Sequence, residues 1–120
     1  MKRIGVSAVD DTAMKRRIFM REKLEVKNLD DLYEAVLTLE TVEECRLFFK
    51  DLCTVPELKA LSQRFKVAKM LTEKHVYNDI VAQTGASTAT ISRVNRSLSY
   101  DGSGGYNIVF ERLGADKQED

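Results

Sequence analysis

The sequence predicts an all-α protein, and three observations support this fold class. Between about residues 28 and 113 the apolar residues recur at spacings of three and four, the period of a helix packed on one side. Threonine-x-x-glutamate patterns begin two of these segments, as N-terminal capping boxes do. No segment is convincing as a strand, and the only proline, Pro56, falls in a first helical turn, where its missing N–H costs little.

Length and composition limit the class of protein. The 120 residues suffice for one domain, and 43% hydrophobic with 32% charged residues is typical of a soluble globular protein. No apolar run reaches membrane-spanning length and no signal-peptide pattern is present, so we expect a cytoplasmic protein without a membrane partner. Cys45 and Cys53 have no CxxC spacing and are predicted to be buried thiols, with no metal site and no disulfide.

Three segments organise the chain. Residues 1–27 lack a clean period and have three open interpretations: a flexible basic arm, an arm ordered against a partner subunit, and a leader without a role. Residues 28–113 are the predicted helical domain. The tail at 114–120 (GADKQED) is predicted to be disordered.

Two helices are predicted at the start of the domain. Asn28 or Asp30 can cap the first, whose apolar side comprises Leu29, Leu32, Val36 and Leu39. Thr41 and Glu44 form the capping pattern of the second. Its apolar stripe is wide, which fits either an interlocked dimer or a monomer core, and comprises Val42, Cys45, Phe48, Phe49, Leu52 and Cys53.

A longer helix and a short last helix complete the scaffold. Thr54 and Glu57 repeat the capping pattern and open a helix that runs to about Glu73, with Leu58, Leu61, Phe65, Ala68 and Leu71 in register. The last helix follows a Gly-rich loop that has none of the marks of a phosphate-binding loop. Its apolar residues are Tyr106, Ile108, Val109, Phe110 and Leu113.

Residues 76–98 (VYNDIVAQTGASTATISRVNRSL) have the pattern of a helix-turn-helix. Val76, Ile80 and Val81 are the apolar positions of the first helix, and Gly85 stands where a left-handed backbone would end it. Ser87 or Thr88 can cap the second helix. Its apolar stripe is Ile91, Val94 and Leu98.

The face opposite that stripe suits contact with DNA. It carries Ala89, Ser92, Arg93 and Arg96, so small and hydroxylic side chains permit close approach while two arginines reach guanine or phosphate. An ordinary solvated amphipathic helix has a similar composition. The net charge of zero conceals a basic block at 58–96, where seven lysines and arginines stand against two acidic residues, and this favours phosphate contact.

The segment from Thr54 to Leu98 resembles the core of the bacterial Trp repressor superfamily, especially its YerC/YecD-type Trp-repressor-like members. GASTATISR followed by SL is the most specific part, and a looser resemblance begins near Leu29. The resemblance implies an all-helical, intertwined homodimer whose two helix-turn-helix units enter successive major grooves of double-stranded DNA.

The same resemblance assigns DNA-contacting positions. Thr88, Ala89 and Ser92 match the part of the family's recognition helix that faces the bases. Tyr77 and Asn78 match the start of its first DNA-contacting helix, near the phosphates. With the two arginines, the predicted DNA-binding set is Tyr77, Asn78, Thr88, Ala89, Ser92, Arg93 and Arg96.

Four positions, of which Arg93 also belongs to the DNA-binding set, match the family's tryptophan pocket: Thr54, Arg64, Arg93 and Ser97. The two arginines can sandwich a planar ring, although Arg93 can equally contact phosphate and Arg64 can form an ion pair across a dimer. Val94 stands where the repressor has glycine beside the indole, and its branched side chain fills the volume that the ring needs. We therefore expect no L-tryptophan cofactor, and either another small-molecule effector or none.

Two classes of function follow from these patterns. The main hypothesis is a sequence-specific transcriptional regulator, expected to repress, that binds DNA as a homodimer. The alternative is a protein-interaction module that uses the helix-turn-helix scaffold without DNA, with the acidic helices at 28–57 as its docking surface. An enzyme is not expected, because the one histidine, His75, lies in a connection and no nucleophile motif is present.

Overall fold

A computed structural model describes residues 2–99 and 102–119, with side chains described for 11–99 and 102–114. These residues form six helices and no strand, which confirms the predicted all-α class. The helices are α1 (Lys2–Leu37), α2 (Val42–Leu52), α3 (Val55–Thr72), α4 (Tyr77–Thr84), α5 (Thr88–Ser99) and α6 (Gly105–Glu119). Within the described ranges, no helix is long and apolar enough to cross a membrane.

The first helix begins far earlier than its capping residues predicted. α1 runs without a break from Lys2 to Leu37, so the predicted helix start at Asn28 or Asp30 is wrong. The described backbone of the 1–27 arm is therefore helical. Residues 11–27 contain no proline or glycine and are rich in Lys, Arg, Glu and Met, which have high helix propensity. A capping residue does not begin a helix when the residues before it are already helical.

The chain divides into two compact units, residues 1–48 and residues 49–120. In the first unit none of the described side chains, 11–48, is fully buried. Leu32, Val36 and Leu39 are half-buried, whereas Leu29 and Val42 are exposed. At the start of α2 the Thr41 hydroxyl accepts a hydrogen bond from the Glu44 N–H at 3.1 Å. The Glu44 carboxylate accepts from the N–H of Glu40 at 2.8 Å, one residue earlier than a regular capping box requires.

The second unit contains a closed core made by α3, α4, α5 and the turn between the last two. The fully buried residues are Val67, Ala68, Met70, Ile80, Ala86, Ile91 and Val94. Around this core Leu71, Leu98, Tyr106 and Phe110 are partly buried. The apolar stripe predicted for α3 was only partly right, because Leu61 and Phe65 remain exposed while Val67 and Met70 are buried. α3 thus has apolar residues on two faces, and the core covers one of them.

Local capping fixes both ends of α3. At its start the Thr54 N–H donates to the Glu57 carboxylate at 2.9 Å, and the Glu57 N–H donates to the Thr54 hydroxyl at 3.3 Å, so the predicted capping box is confirmed. Pro56 lies in the first turn, as expected. At the other end Lys74 adopts a left-handed backbone with φ 66°, and its N–H donates to the Leu71 carbonyl at 3.0 Å.

The last helix is longer than the sequence predicted. α6 begins at Gly105 and continues to Glu119, through most of the segment 114–120 that was predicted to be disordered; Asp120 lies outside the described residues. The ring of Phe110 lies 5.4 Å from that of Phe65 and 6.0 Å from that of Tyr106, measured between centroids. These contacts place the start of α6 beside α3. Cys45 and Cys53 are free thiols that are half-buried, less buried than predicted.

Candidate nucleic-acid interface and the adjoining cleft

α4 and α5 are two short helices joined by a turn of three residues, the arrangement expected of the predicted helix-turn-helix. Gly85 ends α4 with φ 70°, in the left-handed region, and its N–H donates to the Val81 carbonyl at 2.9 Å. Ala86 follows and is buried in the core. Three residues separate α4 from α5, so the turn is short. The left-handed Gly85 and the buried Ala86 set its direction.

Ser87 begins the second helix by capping it. Its hydroxyl accepts a hydrogen bond from the Thr90 N–H at 3.1 Å, and its carbonyl accepts from the Ile91 N–H at 3.0 Å. Of the two residues predicted as alternatives for this cap, Ser87 rather than Thr88 takes the role. The start of α5 is consequently defined by the residue next to the buried Ala86.

The two sides of α5 differ sharply. Ile91 and Val94 are buried and Leu98 is half-buried, which confirms the predicted stripe. The predicted DNA-contacting residues of this helix are all exposed: Thr88, Ala89, Ser92, Arg93 and Arg96. A helix held by one buried face presents the other as a rigid surface of hydroxyl, methyl and guanidinium groups.

The first helix of the motif contributes less apolar surface than predicted. Ile80 is fully buried, but Val76 and Val81 are exposed. Val76 precedes the helix as its N-cap residue and makes no side-chain capping bond there. Tyr77 and Asn78 occupy the first two helical positions and are exposed. Backbone N–H groups of a first helical turn have no intrahelical partners and are suited to donate hydrogen bonds to a phosphate.

An open cleft of about 440 Å³ lies between α3 and α5, next to the exposed face of α5. It brings together three of the four residues that were predicted to form an effector pocket, Arg64, Arg93 and Ser97. Thr54 is not part of its lining, and its hydroxyl is engaged in the cap of α3. The remaining lining residues are Ala60, Gln63, Thr90, Val94 and Tyr106.

Local hydrogen bonds orient the polar groups of the cleft. The Arg64 Nε donates to the Ala60 carbonyl at 3.4 Å, one turn back along α3. The Ser97 hydroxyl donates to the Arg93 carbonyl at 3.3 Å, one turn back along α5. Val94 also lines the cleft and is only 4% exposed, since it belongs to the core as well. The wall of the cleft at this position is therefore a branched apolar side chain.

Sequence reasoning missed two residues of this region, Gln63 and Tyr106. Gln63 donates a hydrogen bond through Nε2 to the Thr84 carbonyl at 3.0 Å, across 21 residues of sequence. Tyr106 reaches the cleft from α6. Neither position carries a local sequence signal, because both are defined by contacts between separate helices. Among the described residues no group of three or more His, Cys, Asp or Glu side chains is arranged to hold a metal ion.

The structure belongs to the all-α class, and a short helix, a glycine turn and a capped second helix with an exposed arginine-bearing face are typical of helix-turn-helix proteins. Comparison with known proteins then gives the family. The family model described as Trp repressor protein matches residues 27–114, and the chain belongs to this family, which consists of DNA-binding regulators.

Individual relatives agree with this assignment. The uncharacterised protein YerC of Bacillus subtilis is 49% identical over 92 residues, which are 77% of this chain and 88% of the relative. A TrpR-like protein from Eubacterium eligens has a crystal structure that is 56% identical, with a TM-score of 0.72 over 78% of this chain and 95% of that one. A candidate Trp repressor from Staphylococcus aureus is 52% identical, with a TM-score of 0.71 over 78% and 92%.

Proposed function

We propose that this protein is a sequence-specific transcriptional regulator that binds double-stranded DNA as a homodimer, with α5 as its recognition helix. The observation that carries the proposal is the exposed face of α5, where Ala89, Ser92 and Arg96 lie away from the side of the helix that carries the fully buried Ile91. Base edges in a major groove are read by side chains of this kind, the guanidinium group contacting guanine and small residues permitting close approach.

Phosphate contacts account for much of the affinity in this proposal. Tyr77 and Asn78, at the exposed N-terminus of α4, contact the backbone and set the position of α5 in the groove. The basic block at 58–96 includes most of α3 and nearly all of the motif, and its positive charge favours approach to the duplex. Affinity should therefore fall steeply with salt concentration, whereas discrimination among sequences resides in α5.

Exposed apolar side chains support the homodimer. In the second unit Phe65 is 39% exposed, Ile108 is 50% exposed, and Leu61, Val109 and Leu113 are exposed as well. The first unit has no fully buried side chain among those described, although α1 and α2 carry many apolar residues. Apolar surface of this extent is a feature of protein interfaces rather than of isolated domains. A second copy of the chain would cover it and would place two recognition helices on one duplex.

The cleft is the proposed effector site. Arg64 and Arg93 line it together with Ser97, so it suits an anionic or planar molecule. Val94 lines the wall of the cleft with a branched side chain that takes up volume an indole ring would need, and L-tryptophan is therefore not the proposed effector. Arg93 belongs both to the cleft and to the exposed face of α5. A molecule bound in the cleft therefore changes the charge of the surface that faces DNA.

Selection from a pool of random duplexes tests the function. The purified protein is incubated with the pool at near-physiological salt, with and without L-tryptophan, and its mass is measured by analytical ultracentrifugation. We expect a dimer that enriches a palindromic sequence without added ligand. Enrichment only with tryptophan would overturn the interpretation of Val94. A protein that retains no duplex even at low ionic strength would instead support a protein-interaction module.

A further inference from the structure

The turn of the helix-turn-helix is tied to α3 by one side chain. Gln63 lies on α3, is half-buried, and donates a hydrogen bond from Nε2 to the backbone carbonyl of Thr84 at 3.0 Å. Thr84 is the last residue of α4. Carbonyl groups in the last turn of a helix have no partner within that helix, so the amide of Gln63 satisfies an acceptor that the helix itself leaves unpaired.

The side chain of Thr84 also forms hydrogen bonds within the turn. Its hydroxyl donates to the Ile80 carbonyl at 2.6 Å and accepts the Ala86 N–H at 3.1 Å. Ala86 is buried in the core and is followed directly by Ser87, whose hydroxyl caps α5. The hydrogen bond from Gln63 is thus the first of a short series that connects α3, through the turn, to the first residues of the proposed recognition helix.

We propose that Gln63 is a positioning residue for DNA recognition, which holds the Thr84 carbonyl and so fixes the turn that sets the direction of α5. This proposal rests on the proposed function of α5, but its structural part concerns only the turn. The hydrogen bond of Gln63 goes to the Thr84 carbonyl, so its effect on DNA passes through the turn. It also lines the cleft beside Arg64 and Arg93, so one side chain adjoins both the proposed effector site and the turn.

Gln63→Met removes the donor and keeps the length of the side chain. Gln83→Met is the matched control, since Gln83 is an exposed residue of α4 one position before Thr84. Amide hydrogen exchange of the full chain is measured for Gly85 and Ala86. Loss of one hydrogen bond should raise their exchange rates about fivefold in Gln63→Met, with no change in Gln83→Met. The core amides of Val67 and Ala68 report whether α3 itself remains intact.

DNA binding supplies the readout that a merely structural role would not change. With the duplex selected above, the Kd of Gln63→Met should rise about fivefold, while binding to random duplex stays as in the wild type. Gln63→Glu places a carboxylate against the carbonyl oxygen of Thr84. It should therefore lose more of the preference for the selected duplex over random duplex than Gln63→Met does. Equal weakening on both duplexes, accompanied by faster exchange at Val67 and Ala68, would mean general destabilisation and would overturn the proposal.

The two readouts separate this proposal from the proposed function. If the wild type selects no duplex, the function of α5 is wrong, whereas the exchange rates at Gly85 and Ala86 still decide whether Gln63 fixes the turn. If those rates are unchanged in Gln63→Met, the role of Gln63 is wrong whatever the protein binds. Faster exchange together with an unchanged preference for the selected duplex would likewise refute its role in recognition.

Discussion

Lys74 and Gly85 have nearly the same left-handed backbone, with φ 66° and 70°, and they stand on either side of α4. Beside Lys74, the His75 N–H donates to the Met70 carbonyl and the Lys74 N–H to the Leu71 carbonyl, both at 3.0 Å. Gly85 follows α4 as Lys74 follows α3, and its N–H donates to the Val81 carbonyl at 2.9 Å. Two left-handed residues therefore delimit the eight-residue helix that leads into the turn.

Gly85→Ala should destabilise the protein. A Cβ at this position meets no atom within 4 Å, so the cost is that of the left-handed backbone alone. An L-residue in this conformation costs about 1 kcal/mol relative to glycine. We expect the free energy of unfolding, measured with urea, to fall by about this amount. Unchanged or increased stability would show that the turn relaxes to another conformation.

Lys74→Gly should have the opposite effect. Lysine adopts φ 66° against its steric preference, and glycine adopts it freely, so we expect a gain of about 0.5–1 kcal/mol in the free energy of unfolding. Lys66→Gly, in the exposed interior of α3, is the matched control and should lose about 1 kcal/mol. If both variants lose stability, the positive charge or side chain of Lys74 contributes more than its backbone strain costs.

Features specified by neighbouring residues were predictable from the sequence. The capping box of Thr54 and Glu57 and the left-handed Gly85 each involve residues at most four positions apart, and each was confirmed. For α5 the sequence left Ser87 and Thr88 as alternative caps, and the structure has Ser87. Together they position α3, the turn and α5.

Features that depend on distant contacts were not predictable. Periodicity could not show which apolar face of α3 enters the core, because Leu61 and Val67 are both apolar and only the packing of α4 and α5 distinguishes them. The bond between Gln63 and Thr84 spans 21 residues and has no local signature. The extent of α1 was missed for another reason: its residues before Asn28 have helix propensity without amphipathic periodicity.

Acid should weaken the N-terminal cap of α3. Hydrogen bonds from the Thr54 backbone N–H and then from its side chain hold the pKa of Glu57 below the ordinary value of 4.5. A lowered pKa in the folded state means that the stabilisation is present above pH 4.5 and is lost as the pH falls through the lowered pKa. The free energy of unfolding, measured with urea between about pH 3 and 6, should therefore fall more steeply with decreasing pH in the wild type than in Glu57→Gln. Parallel curves would contradict this assignment.

Arg96→Ala and Ser92→Ala should reduce discrimination among DNA sequences. Both side chains lie on the exposed face of α5, and a bidentate arginine contact to guanine contributes about 1–3 kcal/mol of discrimination. We expect Arg96→Ala to weaken binding to the selected duplex about tenfold, as measured by fluorescence anisotropy, with a much smaller loss on random duplex.

Arg46→Ala serves as the control for loss of one positive charge, since Arg46 is exposed on α2 and pairs with Glu43 at 3.6 Å. It should leave the preference for the selected duplex unchanged. The same fractional loss on selected and random duplexes for Arg96→Ala and Ser92→Ala would assign both residues to the phosphate backbone and would refute α5 as the reading surface.

Val94→Ala should lower the stability of the protein and enlarge the cleft. Val94 is 4% exposed and belongs to the core, so removing two methyl groups should lower the free energy of unfolding by about 2 kcal/mol. The same change enlarges the cleft between Arg64 and Arg93, where a planar ring can then lie. Calorimetric titration should detect L-tryptophan binding to Val94→Ala and none to the wild type.

Ile91→Val is the control variant. It also removes a methyl group from the core, but Ile91 does not line the cleft, so this variant should bind no tryptophan. If the wild type binds tryptophan as well as Val94→Ala does, the valine is not the residue that excludes it.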